Sequence, residues 1–231
     1  SANLIGFHAL KLLKFKDADH QIKVAVPSVS WSTTYFPLQQ LGFKLVFIDV
    51  DINNFNMDLG MLEEVAQNHE LDFVCGVSLL GNPMDFDRLE SICRDNNILY
   101  VEDNCESLGA EYDGKKTGGF GLFGSFSFFF SHHLVTMEGG MVCTDNSELA
   151  DYARSLRAHG WLREVDKNSN LHALLADVSD FEKTKAAIEQ IESDFGPVDV
   201  LINNAGITRD GTMHRMTFEQ WNAVIQTNLA S

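Results

Sequence analysis

Apolar runs of strand length alternate along this chain with segments of helical period, and that alternation restricts it to a few architectures. The expected strands are 23–26, 44–49, 72–78, 98–102, 125–130 and 140–144. Helical patterns lie between them near 32–40, 58–68, 85–95 and 147–159, and the first residues already read as the middle of a helix. Strands alternating with helices build a largely parallel sheet with helices on both faces. The polar stretch 163–170 has no clear period and precedes a change of register, so a joint is expected there. Beyond it a strand (171–176), a helix (180–194), a strand (198–203) and a helix (217–229) read as one β-α-β-α run, with Gly196-Pro197 marking the turn between helix and strand.

The composition narrows the function classes. With 45% hydrophobic residues the chain can bury a substantial core, and with a formal net charge of −16 and no basic cluster it lacks the footprint of a nucleic-acid or anionic-membrane partner. No apolar run is long enough to span a bilayer. Cys75, Cys93, Cys105 and Cys143 are widely spaced without a Cys-x-x-Cys, so neither a metal site nor a disulfide framework is expected, and the thiols fit a reducing cytoplasm.

Asp103 follows the apolar run 98–101, which places its carboxylate at a strand's C-terminal end, where α/β sheets hold ligands. An acid there can pair with a pyridinium nitrogen and keep such a ring an electron sink, or it can serve as a helix cap or ion-pair partner. Gly119-Phe-Gly-Leu-Phe-Gly124 matches the dinucleotide pattern G-x-G-x-x-G letter for letter. That pattern needs a strand before it and a helix after it. An aromatic strand follows instead, so these glycines are expected to form a turn.

Two resemblances follow from longer motifs. Val-Glu-Asp-Asn-Cys-Glu-Ser (101–107), Phe-Phe-Phe-Ser-His-His-Leu-Val-Thr-Met-Glu-Gly-Gly (128–140), Val-Ser-Trp-Ser-Thr-Thr (29–34) and Arg-Ala-His-Gly-Trp (157–161) resemble the DegT/DnrJ/EryC1/StrS sugar aminotransferase family of pyridoxal-phosphate enzymes, over essentially all of residues 1–168. His132 stands where that family's cofactor-linking Lys would be, which is similar to the family's nucleotide-sugar 3-dehydratases. The resemblance implies a fold-type-I large domain and the cofactor pyridoxal phosphate or pyridoxamine phosphate (PLP/PMP). It implies that Trp31 stacks on the ring, Asp103 pairs with its nitrogen, Glu106 lies near its phenolic oxygen and Ser127 holds the phosphate. His132 would be the general base that lets the C3 hydroxyl of a GDP-4-keto-6-deoxy sugar leave. Of the family's phosphate-binding Ser-Gly-Ser/Thr turn only Ser1 is present, and the family's C-terminal small domain is missing.

Leu-Ala-Asp-Val-Ser (175–179), Leu-Ile-Asn-Asn-Ala-Gly-Ile (201–207) and Gln-Thr-Asn-Leu (226–229) resemble a short-chain dehydrogenase/reductase of the acetoacetyl-CoA or 3-oxoacyl type. By that resemblance residues 169–231 are a partial Rossmann piece that takes NAD(P). Asp177 would meet the adenine, Asn203, Ala205 and Gly206 would floor its site, and Asn228 would be a catalytic Asn. The glycine-rich pyrophosphate turn and the catalytic Ser, Tyr and Lys have no counterparts. The expectation is therefore a chimera of two incomplete parts. Three readings follow: a degraded dehydratase scaffold without robust activity, an active dehydratase that takes a nucleotide sugar, or an α/β module without chemistry. An unpaired sheet edge at 140–144 is expected to drive self-association.

Overall fold

The structure is a computed structural model, and it describes residues 1–68, 70–160 and 180–195, together with Thr217 and Glu219. The chain divides into two compact units, Ser1–Leu171 and His172–Ser231. In the first unit a six-stranded sheet runs in the order β2-β1-β3-β4-β7-β8. Its strands are β1 (Lys23–Pro27), β2 (Lys44–Ile48), β3 (Phe73–Val77), β4 (Leu99–Asp103), β7 (Gly124–Ser127) and β8 (Gly140–Cys143). All neighbours pair in parallel except β7 and β8, which are antiparallel. A small antiparallel pair, β5 (Glu111–Tyr112) with β6 (Lys115–Lys116), stands apart.

The helices are α1 (Ala2–Lys14), α2 (Ser32–Gln40), α3 (Leu59–Asn68), α4 (Phe86–Asp95) and α5 (Ser147–Arg157). A parallel strand covered on both faces reads as a continuous apolar run, because every side chain must be buried. That is why 23–27 and 73–77 carry no polar alternation. Val24, Val26, Phe73 and Cys75 pack with Phe7 and Leu10 of α1 and Leu149 of α5 on one face. Ala25 and Val74 pack with Leu62 of α3 and Leu89 and Ile92 of α4 on the other. Gly6 lets α1 lie close to the sheet, since a Cβ there would meet the Phe123 ring at 2.5 Å.

Asp85 and Asn146 each cap the helix that follows, accepting the N–H of Arg88 at 3.1 Å and of Leu149 at 2.8 Å. The expected strand 125–130 ends at Ser127. Past it Phe128 still exchanges bonds with Gly139 and Thr136, but His132 closes a turn onto the Phe129 carbonyl at 3.0 Å. The three phenylalanines therefore lead into a loop.

In the second unit the described helix is α6 (Phe181–Phe195). Asp180 starts it by accepting the Lys183 N–H at 3.2 Å while bonding the Lys183 ammonium at 3.0 Å. The expected joint at 163–170, the strands 171–176 and 198–203, and Asp177, Asn203, Ala205, Gly206 and Asn228 lie outside the described residues. Among the described residues no helix is long and apolar enough to cross a membrane.

Candidate functional site

Asp103 closes β4, and its carboxylate is only 2% exposed. An ionised carboxylate this deep must be compensated by donors. Oδ2 accepts the side-chain N–H of Asn3 at 2.8 Å and the hydroxyl of Thr34 at 2.9 Å, and Oδ1 accepts the backbone N–H of Cys105 at 3.2 Å. A carboxylate has about four acceptor positions. Three are taken by these donors, and the Cys105 thiol, a weak donor, also bonds the Asp103 side chain, its own pKa pushed well up by burial first and by Asp103 second.

Around this carboxylate opens a cavity of about 500 Å³, lined among others by Ser1, Asn3, Trp31, Asp103, Ser127 and His132. The volume lies in the range of small-molecule sites. Trp31 sits at the N-cap of α2 with extended backbone, and its indole is 70% exposed, so one face is free for a ring to stack on. Ser1 precedes α1 and makes no side-chain cap, which leaves the first N–H groups of a 13-residue helix without intrahelical partners. Ser127, at the end of β7, adds a hydroxyl that accepts the Phe129 N–H only weakly, at 3.4 Å. Helix-end N–H groups beside a hydroxyl are a natural receptor for phosphate. His132, half-buried, also lines this cavity, its ring centroid 6.5 Å from that of Phe129.

A buried carboxylate, an exposed indole, a helix N-terminus beside a hydroxyl and an imidazole line one cavity, a set of groups that fits the B6 cofactor phosphates. Among the sequence-identified residues of the first part, Ser1, Trp31, Asp103, Ser127 and His132 come together here. Glu106 does not line this cavity. Its carboxylate accepts the Leu80 N–H at 2.7 Å and borders a neighbouring cavity of about 430 Å³ with Leu80, Ser131, His132 and His133. Leu80 is held in left-handed backbone (φ 55°), which explains why that carboxylate is occupied: it pins a strained turn.

The residues that position Asp103 are Asn3, Thr34 and Ser125, none of which the sequence reading singled out. Asn3 had a signal, since it lies on the same helical stripe as Phe7 and Leu10, and a polar residue in an apolar stripe calls for a partner. The glycines at 119–124 also have an explanation. Glu102, buried beside Asp103, accepts the backbone N–H groups of Gly118 at 2.6 Å, Phe120 at 2.6 Å and Gly121 at 2.8 Å. The loop is an anion nest whose anion is the chain's own carboxylate. Among the described residues no group of three or more His, Cys, Asp or Glu side chains is arranged to hold a metal.

The chain is similar to known proteins over most of its length. The DegT/DnrJ/EryC1/StrS aminotransferase family matches residues 2–192, a match that runs past 168 and through most of α6. GDP-4-keto-6-deoxy-D-mannose 3-dehydratase of Escherichia coli O55:H7 is 43% identical over 177 residues, 77% of this chain and 45% of the relative. The protein of the same description from Yersinia pseudotuberculosis is 47% identical over 174 residues, 74% of this chain and 43% of the relative. The solved structure of the E. coli dehydratase with bound hydrated PLP has a TM-score of 0.69 at 42% identity, covering 79% of this chain and 46% of that one. A second structure, holding a trapped PLP-glutamate geminal diamine, gives a TM-score of 0.70 at 41% identity. The chain spans a little under half the length of these relatives. Its sheet and helices are those of a fold-type-I α/β protein, and the chain belongs to the DegT/DnrJ/EryC1/StrS aminotransferase family.

Proposed function

We propose that residues 1–168 form the cofactor-binding part of a nucleotide-sugar 3-dehydratase that uses pyridoxamine phosphate to remove the C3 hydroxyl of a GDP-4-keto-6-deoxy sugar. One observation carries the reading: Asp103 and His132 line one cavity together with an exposed tryptophan face. The similarity to two GDP-4-keto-6-deoxy-D-mannose 3-dehydratases supports it.

Bound there, the cofactor supplies an amine and a ring that withdraws electrons. Asp103 would receive the ring N–H in place of the weakly donating Cys105 thiol and would keep the ring cationic. Trp31 covers one ring face and excludes water from it. Ser1, the α1 N-terminus and Ser127 take the phosphate. His132 would accept a proton from the cofactor carbon that bears the amine and return one to the leaving C3 hydroxyl, a task suited to imidazole near neutral pH; the two electrons the sugar gains would come from that carbon, which ends as the aldehyde while the nitrogen leaves as ammonia. A histidine forms no lasting covalent bond to the aldehyde form, so pyridoxamine phosphate can leave and be exchanged. Glu106 serves the loop at Leu80, and its contribution to the reaction is indirect.

The short-chain reductase reading of residues 169–231 rests on its sequence motifs alone, and the family match through residue 192 draws α6 toward the first family. The proposed reaction includes no NAD(P) step.

The test is incubation of the chain with pyridoxamine phosphate and the GDP-4-keto-6-deoxy sugar in D2O, followed by mass spectrometry. Deuterium incorporated at the cofactor carbon together with loss of the C3 hydroxyl, both absent in His132→Asn, is the expected result. Exchange that persists in His132→Asn contradicts the assigned base.

A further inference from the structure

We infer that Asn3 and Thr34 are positioning residues that aim Asp103 at the cofactor ring, an inference that rests on the cofactor reading above. The hydrogen-bond geometry leaves little freedom. Both side-chain N–H groups of Asn3 are used, one on the Thr33 carbonyl at 3.0 Å and one on Asp103 Oδ2 at 2.8 Å, and its oxygen accepts the Ser125 hydroxyl. The acceptor-only partners fix which end of the amide is nitrogen. Thr34 spends its proton on Asp103 Oδ2, so the Ser30 hydroxyl, 2.8 Å away, must donate to Thr34. Oδ2 is thereby saturated by two donors, and rotation of the carboxyl that brought Oδ2 to the cavity would break both bonds. Oδ1, with one backbone N–H at 3.2 Å, is left as the acceptor that addresses the ring.

The consequence reaches beyond Asp103. Asn3 stands in the first turn of α1, Thr34 in the first turn of α2, and Ser125 in β7. One buried amide therefore ties three elements to the carboxylate. Ser1 and the α1 N-terminus, which take the phosphate, sit within two residues of the group that orients the ring's acid. Phosphate seating and ring orientation are coupled through one side chain. Buried polar networks of this kind are sensitive to the loss of any member, since each leaves a buried partner unpaired.

The experiment titrates the 231-residue chain with 15N-labelled pyridoxamine phosphate and reads the affinity and the ring-nitrogen shift, which reports protonation. Unsubstituted chain, Asp103→Asn, Asn3→Ala, Thr34→Val and Thr34→Ser are compared, with unfolding midpoints measured for each. The expected result is a protonated ring nitrogen in the unsubstituted chain and loss of that signature in Asp103→Asn. Asn3→Ala and Thr34→Val should bind about tenfold more weakly with the ring signal moved toward the neutral base, and Thr34→Ser should restore both. If Asp103→Asn loses the signature while Asn3→Ala and Thr34→Val keep affinity and shift, the positioning role is wrong and the cofactor reading stands. If Asp103→Asn behaves like the unsubstituted chain, or that chain does not bind, the cofactor reading falls and the inference with it. Should a variant fail to fold, the Asn3 side-chain amide of the unsubstituted chain remains a probe. Its protons should resist solvent exchange and shift on titration, and an amide that exchanges freely in both states overturns the proposal.

Discussion

Glu102 Oε1 accepts the backbone N–H of Gly121 at 2.8 Å, across a loop whose glycines spell a dinucleotide-binding pattern. The same carboxylate holds Phe120 and Gly118, so the donors a diphosphate would need already face an anion. Hydrogen bonds to a charged group are worth more than neutral ones, and removing the anion leaves buried N–H groups unpaired. Glu102→Ala should lower stability by about 3 kcal/mol, read as a drop in the urea midpoint. NADH fluorescence should be unchanged by the unsubstituted chain. A variant as stable as the parent would show that the loop does not depend on its internal anion.

His20 Nε2 donates to Asp72 Oδ1 at 2.8 Å, and Asp72 also accepts the Lys23 N–H at 2.7 Å at the start of β1. The bond to Asp72 and the negative charge there hold the His20 pKa above its ordinary value. A raised folded-state value favours the protonated form in the fold. The contribution to stability is then complete below the ordinary histidine pKa near 6.5 and is lost as pH rises through the raised one. NMR titration should place His20 above a free histidine, and Asp72→Asn should return it to the ordinary range. An unchanged titration in Asp72→Asn would remove Asp72 as the cause.

Burial pushes the Cys93 thiol up to about 12, and burial followed by the Asp103 charge pushes up Cys105. The thiolate is the nucleophile, so both should resist alkylation at pH 8 in the folded chain and react quickly in urea. Mass spectrometry after timed iodoacetamide treatment measures this. Rapid native labelling of Cys105 would mean that the cavity floor is open to solvent and its carboxylate less sheltered than described.

Among the described residues β8 pairs only with β7, and it carries no charge and no proline to discourage another strand. Met141 on β8 is 38% exposed, and Phe130 and Met137 in the preceding loop are more so. Light scattering at micromolar concentration should show association, and Met141→Lys should reduce it. A monomeric parent, or association unaffected by the lysine, would locate any contact elsewhere.

Much of this architecture was legible because it follows from local rules. Strands 23–27, 44–48 and 73–77 and helices 32–40 and 86–95 fall where the apolar runs and helical periods put them. What escaped depends on contacts far apart in the chain. Asn3 meets Asp103 across 100 residues, and no local pattern couples the two. Glu106 turns to Leu80 because a left-handed turn 26 residues upstream needs an acceptor. The β5–β6 hairpin has a local signal: Asp113-Gly114, both at positive φ, is the turn signal for two short strands. The phenylalanines 128–130 have strand propensity but leave the ladder after Ser127, as tertiary context overrides propensity.

The proposed function requires the cavity at Asp103 to receive a pyridoxamine phosphate ring against Trp31. Titration of the chain with pyridoxamine phosphate, followed by tryptophan fluorescence, tests it most directly. Saturable quenching is expected that is lost in Trp31→Phe, although Trp161 and Trp221 remain, and whose affinity weakens about tenfold in Asp103→Ala. Quenching that is unsaturable, or that survives unchanged in both variants, would contradict it.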